Sequence, residues 1–326
     1  MSIKVLIQTN KFGGGGPDTF RSRLIKAIKK TDEIDVVENI KKKFDIELSF
    51  IRKTEKHNKP YILRASNCYY LDKYKIWNNK PIARSIKDAD YIIFQSEFGY
   101  KLYNRVLRLE SRKLIRNGYK IIHNGIDVDY LKNIEPSREI EPGSFVACAR
   151  WDSNKRLHSM IKGFIEADVK KHLYIIGGFG IEDRKRKMKD VFKKYNSQHV
   201  HILGEKTNEE TISIMKAGDY FVHLAFIDIC PNVVIEALSC GLNVLCTNLG
   251  GTSELVGDNG IVLKVDKFWE TKYLKKNIED LDKLKSKVVA EGINKIIKIK
   301  KSDFRNDFDI NKIAKKYIDI IKERIK

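Results

Sequence analysis

The stretch from Ala225 to Gly241 combines two carboxylates, a proline and small apolar residues in an order that suits chemistry at the start of a helix. Asp228 and Glu236 are eight positions apart, which puts one carboxylate in a loop and the other about a turn inside the helix that follows. Both can face one cleft. Carboxylates that accept from sugar or ribose hydroxyls form charge-assisted hydrogen bonds of roughly 1.5–3 kcal/mol each; solvated charges flanking an ordinary helix are the alternative. Pro231 suits the first turn, where a missing N–H costs nothing, and free amides around Asn232 and Val233 would attract a diphosphate. Upstream, Arg150 and Lys155 follow the apolar run Phe145 to Cys148, so positive charge stands at the carboxyl edge of a sheet, where open α/β folds bind ligands. Further on, Gly250-Gly251-Thr252 follows another strand and would allow close backbone approach to a ligand before a capped helix.

The first half carries weaker signals. Gly13 to Gly16 follow the first strand, so a flexible backbone turns next to the cleft, yet Asp18 occupies the third glycine position of a dinucleotide fingerprint. Arg64 and Asn67 follow Tyr61 to Leu63, and Ser96 follows Tyr91 to Phe94; by the same strand-end logic these three are candidates for acceptor binding, or simply solvated. Asp88-Ala89-Asp90 and Asp127-Val128-Asp129 have the form of a D-x-D metal signature, and His199 and His201 share a strand face. Divalent cations want several convergent oxygens or clustered thiols and imidazoles, so no metal is expected. Tyr69, Tyr70, Tyr74 and Trp77 beside Lys73 and Lys75 could stack bases, line an acceptor site or fill a core. No nucleic-acid module accompanies them, and no nucleic-acid partner is expected.

These groups need a scaffold. Short β-branched runs recur between longer amphipathic stretches: Ile3 to Ile7, Tyr61 to Leu63, Tyr91 to Phe94 and Tyr119 to Ile122, then Phe145 to Cys148, Leu173 to Ile176, Val200 to Leu203, Tyr220 to Leu224, Val244 to Cys246 and Ile261 to Leu263. Such runs read as buried parallel strands of a doubly wound α/β protein. Lys132 to Ser144, with Pro136, Pro142 and Gly143, has the composition of a connection between domains. The expected division is residues 1–135, residues 145–300, and a closing amphipathic helix within 301–326 that packs back towards the first domain. A chain of 326 residues is long enough for two cores. Five cysteines without C-x-x-C spacing suggest reduced thiols, and no apolar run of about 18 residues or signal peptide is seen, so a cytoplasmic location is expected. Lys and Arg number 63 against 43 Asp and Glu, a net +20 that leans towards the first half and favours phosphates or an anionic membrane surface.

From about residue 120 to 265 the chain resembles the family 4 retaining glycosyltransferases. The resemblance rests on Ile122-His123-Asn124-Gly125, the basic pair after the Phe145 strand, Ile175-Ile176-Gly177-Gly178, Leu203-Gly204-Glu205-Lys206 and the Asp228 to Gly241 segment. It implies the GT-B fold, α/β with two Rossmann-like α/β/α domains facing a central cleft, the first on the acceptor side and the second on the donor side. It also implies that Arg150 and Lys155 grip the diphosphate of a nucleotide-diphospho-sugar, UDP- or GDP-linked, that Asp228 touches the donor sugar and Glu236 the ribose. Asp228 departs from the family's usual glutamate by one methylene. Gly14 and Gly15 fall in a loop that contacts donor phosphate or acceptor in such enzymes, Gly178 falls in a matching segment, and Leu203 lies near the base. The donor is a substrate; no cofactor is expected, and the other partner is a hydroxyl acceptor: a glycan, a lipid-linked molecule or a small molecule. A noncatalytic nucleotide-sugar binder, a related phosphorylase or epimerase and a basic nucleic-acid binder are the alternatives.

Overall fold

Strands of three to five residues, most of them apolar runs, build two six-stranded parallel sheets in a computed structural model that describes residues 2–8, 16–53, 56–70, 76–178, 184–264 and 284–325. The chain divides into two compact units, one formed by Met1–Asp127, Ile229–Asn232 and Asp307–Lys326, the other by Val128–Asp228 and Val233–Asn306.

In the first unit the strands are β1 (Ile3–Leu6), β2 (Ile34–Val37), β3 (Ile46–Phe50), β4 (Tyr61–Ala65), β5 (Tyr91–Phe94) and β6 (Tyr119–Ile121), in the order β2-β1-β3-β4-β5-β6. Helices α1 (Gly16–Lys29), α2 (Lys80–Asp88) and α3 (Glu97–Leu107) connect them. Strand β3 escapes a search for continuous apolar runs because Glu47 and Ser49 interrupt it. All five of its residues are nevertheless buried, since Glu47 meets His57 and accepts from Ser49 Oγ at 2.6 Å. The closing helix of the chain runs Ile310–Ile325 and buries Ile310, Ile313, Tyr317, Ile320 and Ile321 at helical spacing, packed with Phe20, Leu24 and Ile28 of α1 in one core. Each such side chain withdrawn from water contributes roughly 1.5–3 kcal/mol.

In the second unit α4 (Val128–Lys132) precedes β7 (Phe145–Cys148), α5 (Leu157–Glu166), β8 (Leu173–Ile176), α6 (Arg184–Tyr195), β9 (Val200–Gly204), α7 (Asn208–Ala217), β10 (Tyr220–His223), α8 (Asn232–Ser239), β11 (Asn243–Thr247), α9 (Thr252–Val256), β12 (Gly260–Leu263) and α10 (Ser286–Ile296); the closing helix is α11. The sheet order is β12-β11-β10-β7-β8-β9. Phe145, Leu173, Val200 and Val222 meet Ile161, Phe164, Val289 and Ile293 in a core between the sheet and helices α5 and α10.

The unit edges differ from the expected 135 and 301 for local reasons. Residues 131–137 are held in the second unit by Lys216 Nζ, which donates to the Leu131, Lys132 and Ile134 carbonyls, and by Ser137 N donating to Ser213 O at 2.9 Å. Residues 301–305 are held there too, by Lys301 against Asp219 at 2.8 Å and Arg305 Nη1 donating to Leu255 O at 2.8 Å. Among the described residues no helix is long and apolar enough to cross a membrane.

Candidate active site

Parallel sheets bind ligands beyond the carboxyl ends of their strands, at the point where the strand order reverses. In the second unit that point lies between β7 and β10, adjacent strands followed by opposite-going excursions of the chain. The loop after β7 makes a single 3₁₀ turn over Ser153–Lys155 and leaves through Arg156 in the left-handed region. It is fastened to the loop after β10 by Phe226 N donating to Asn154 O at 2.7 Å, and by the Arg156 guanidinium lying 5.1 Å from the Phe226 ring centre. This fastening brings Lys155 and Asp228, distant in sequence, into an ion pair: Lys155 Nζ donates to Asp228 Oδ2 at 2.8 Å, with only 20% and 24% of the two side chains exposed.

His223, the last residue of β10, is buried with its Nε2 atom 3.5 Å from the same Oδ2. That separation is at the outer limit of a hydrogen bond, and the nitrogen has no closer partner. Burial opposes ionisation of Asp228, but the Lys155 charge and then His223 outweigh it and hold the carboxyl well below the usual carboxylate range. Burial pushes the His223 imidazole below the ordinary 6.5, with Asp228 pulling the other way, so it is neutral at pH 7.

The backbone of Asp228 is fixed from below. Gly251 N donates to Asp228 O at 2.8 Å, and Gly250 has a φ of +92° with a position for Cβ that would lie 2.4 Å from that same oxygen. Gly250 makes a close backbone approach to Asp228, and α9 begins without a side-chain cap. Gly177 does similar service nearby: its φ is +130° and a Cβ would stand 2.0 Å from Ala149 O. Gly178 is buried, its carbonyl accepting from Trp151 N at 3.1 Å and its α-carbon facing the Glu205 side chain.

Glu236 lies in the first turns of α8 and is 4% exposed. Its negative charge is felt at the Cys148 thiol, which is pushed up to about 12 by burial first and Glu236 second, with Lys155 opposing. Cys148, Lys155 and Glu236 thus share one electrostatic neighbourhood at the carboxyl end of β7. Arg150 stands apart from this group: its side chain is 74% exposed and its Nε atom lies 3.3 Å from Asp152. Leu203 lines a depression of about 580 Å³ with Tyr174, His201, Lys206 and Ile214.

In the first unit, Asn124 organises the stretch 229–232. It donates from Nδ2 to Cys230 O at 3.0 Å and to Asn232 Oδ1 at 2.7 Å, while Asn232 Nδ2 donates to Gly16 O at 3.0 Å. The Asn232 side chain is thus committed to protein partners. Pro231 immediately precedes α8 rather than sitting in its first turn, and Val233 lies within that turn.

Two expected acceptor contacts are corrected. Arg64 is wholly buried, donating to Tyr317 Oη at 2.8 Å, Ser66 Oγ at 2.6 Å and Asn124 Oδ1, with its guanidinium 4.1 Å from the Phe20 ring centre. It has no surface to offer an acceptor. Ser96 is also buried and caps α3, its hydroxyl accepting from Gly99 N at 2.9 Å. Asn67 remains exposed. Gly14 and Gly15, with Lys73, Tyr74 and Lys75, lie outside the described residues.

In the D-x-D motifs, Asp90 accepts from Tyr61 N at 2.8 Å, and Asp127 and Asp129 face Lys30 and Lys132. The histidines form a stack, His201 lying 4.6 Å from Tyr174 and 5.1 Å from His172 by ring centres. Among the described residues no cluster of three or more His, Cys, Asp or Glu is arranged to hold a metal. His223 and Arg156 are given no role in the sequence reading, and Asn124 enters it only within the segment Ile122-His123-Asn124-Gly125. For His223 a signal existed: an ionisable residue inside the otherwise apolar run Tyr220 to Leu224.

Two six-stranded parallel α/β units are the make-up of the GT-B fold, and solved structures of that fold superimpose on nearly the whole chain. Anabaena HepE, crystallised with UDP and glucose, matches with a TM-score of 0.65 and 15% identity over 98% of this chain and 100% of its own. The sucrose-phosphate synthase of Thermosynechococcus elongatus matches at 0.64 and 14%, over 99% and 98%. The family described as glycosyl transferases group 1 matches residues 133–313, and the chain belongs to that family. Among curated relatives, a human phosphatidylinositol N-acetylglucosaminyltransferase polypeptide is 26% identical over 60% of this chain and 39% of its own length. The glycosyltransferase MJ1059 of Methanocaldococcus jannaschii is 30% identical over 50% and 40%. The chain spans about half or less of the length of these relatives.

Proposed function

We propose that the chain is a retaining glycosyltransferase that moves a sugar from a nucleotide-diphospho-sugar, UDP- or GDP-linked, to a hydroxyl acceptor without a metal. The observation that carries this reading is the Lys155–Asp228 pair held at the strand-order reversal of the second unit, in a chain of the group 1 family. Lysine at this station meets the donor diphosphate, and Arg150, exposed on its loop, joins it when the donor arrives. Their charge offsets the negative charge that develops on the departing diphosphate. Glu236 accepts from the ribose hydroxyls.

Retention needs no protein nucleophile on a front-face route. The bond from the anomeric carbon to the diphosphate oxygen breaks as the acceptor oxygen bonds to the same face, and the hydroxyl proton passes to the leaving phosphate oxygen. Positioning and electrostatics supply most of the rate. The name of the human relative, a phosphatidylinositol N-acetylglucosaminyltransferase, favours a lipid-linked hydroxyl as the acceptor class to test first.

The test is a donor panel. UDP-, GDP-, ADP- and TDP-sugars are incubated with wild type and Arg150→Ala, with and without chelator, and the released sugar is followed by proton NMR. One donor is expected to turn over with its anomeric configuration first retained, indifferent to chelator, and far more slowly in Arg150→Ala. Inverted product, chelator sensitivity or silence across the panel at millimolar donor would overturn the corresponding part of the reading.

A further inference from the structure

The carboxylate at position 228 has a setting that does not suit a sugar-gripping group. Its backbone carbonyl accepts from Gly251 N at 2.8 Å and packs against Gly250. Its side chain is one methylene, roughly 1.5 Å, shorter than a glutamate would be. Two groups converge on a single oxygen, Oδ2: Lys155 Nζ at 2.8 Å and His223 Nε2 at 3.5 Å. His223 is rigid at the end of a central strand, 4% exposed, and its Nε2 atom has no closer partner to hold it. A buried nitrogen left this way is costly unless a task retains it.

We propose that Asp228 is a positioning residue that aims Lys155 at the donor diphosphate, backed by His223, rather than a residue that contacts the donor sugar. Lys155 keeps Oδ2 as one acceptor while its other N–H groups turn to the phosphate, and His223 Nε2–H, within reach of the same oxygen, steadies the carboxylate that aims it. The carboxylate stays ionised and partly shielded from water throughout, so its loss misdirects Lys155 in the bound state. The inference rests on the donor reading above and assigns the roles within it.

The two roles separate in binding. Affinities for the free nucleoside diphosphate and for the intact nucleotide-sugar, with the base that the donor panel selects, are measured by titration calorimetry on wild type, Asp228→Asn, His223→Gln, His223→Leu, Lys155→Met and the double variant Lys155→Met with Asp228→Asn. A charge-assisted contact corresponds to about tenfold or more in affinity. Asp228→Asn is therefore expected to weaken both ligands by the same factor, about tenfold, and to have no further effect in the Lys155→Met background. His223→Gln, which can present an N–H at the Nε2 position, should retain binding that His223→Leu loses.

Weakening of the nucleotide-sugar alone, with the diphosphate bound as before, would overturn the inference and return Asp228 to the sugar. Additive losses in the double variant would overturn it as well. The comparison with Lys155→Met stands even if Asp228→Asn folds poorly, because Asp228→Ser, which also removes the charge, can replace it in the same cycle. Absence of any nucleotide binding in wild type is a different result, which counts against the donor reading itself.

Discussion

Gly250→Ala puts the geometry around Asp228 under the most local strain available. An L-residue at φ +92° leaves the favoured regions at a cost of about 1–2 kcal/mol. The added methyl would also stand 2.4 Å from Asp228 O and 2.9 Å from Asp228 N, where real Cβ atoms do not come. Relief requires a shift of about 1 Å in the backbone that carries the Lys155 partner, and misplacement of that size can cost about 100-fold in rate. The total destabilisation is therefore about 2–4 kcal/mol, strain and residual overlap together. Gly257→Ala supplies the control, because Gly257 also has a positive φ, +53°, yet nothing lies within 4 Å of its Cβ position. Denaturant unfolding and donor turnover are measured on both. Gly257→Ala should lose stability and keep kcat/KM; Gly250→Ala should lose more stability and about 100-fold in kcat/KM. Equal behaviour of the two variants would refute the argument that Gly250 is there for Asp228.

Ser96→Ala removes the cap of α3 and should cost about 1 kcal/mol in denaturant unfolding while leaving the acceptor KM unchanged. Arg64→Met leaves Tyr317, Ser66 and Asn124 without their buried donor and should destabilise the first unit by about 2–4 kcal/mol, read by unfolding. His201 is held below the ordinary 6.5 by burial first, then by His172 and His199. A group protonated more readily when unfolded takes stability away as pH falls, so the loss begins near pH 6.5 and grows until the lower, folded-state value is passed. Unfolding curves from about pH 7.5 to 5 should show that decline, and it should shrink in His201→Phe.

Much of the scaffold is legible in the residues themselves. Ten of the apolar runs are strands, and the spacing of Ile310, Ile313, Tyr317 and Ile321 marks α11, because burial on one face writes a period into the sequence. Strand β3 is not legible in that way, since its two polar residues satisfy each other and His57 inside the fold. Lys155 and Asp228 stand out singly by type and place, but their pairing is made by the adjacency of β7 and β10, which no local pattern encodes. Gly250 shows that something comes close without showing what. Arg64 and Ser96 do lie at strand ends as their positions suggest, yet a guanidinium turned inward and a hydroxyl turned to a helix cap depend on neighbours that are remote or follow a different rule.

The central claim is that the loops after β7 and β10 hold a nucleotide-diphospho-sugar. It is tested most directly by titration calorimetry of UDP- and GDP-sugars into wild type and Lys155→Met. One donor binding to wild type, with affinity lowered about tenfold or more in Lys155→Met, is the predicted result. Equal affinity in both proteins, or no heat of binding for any donor at millimolar concentration, would contradict it.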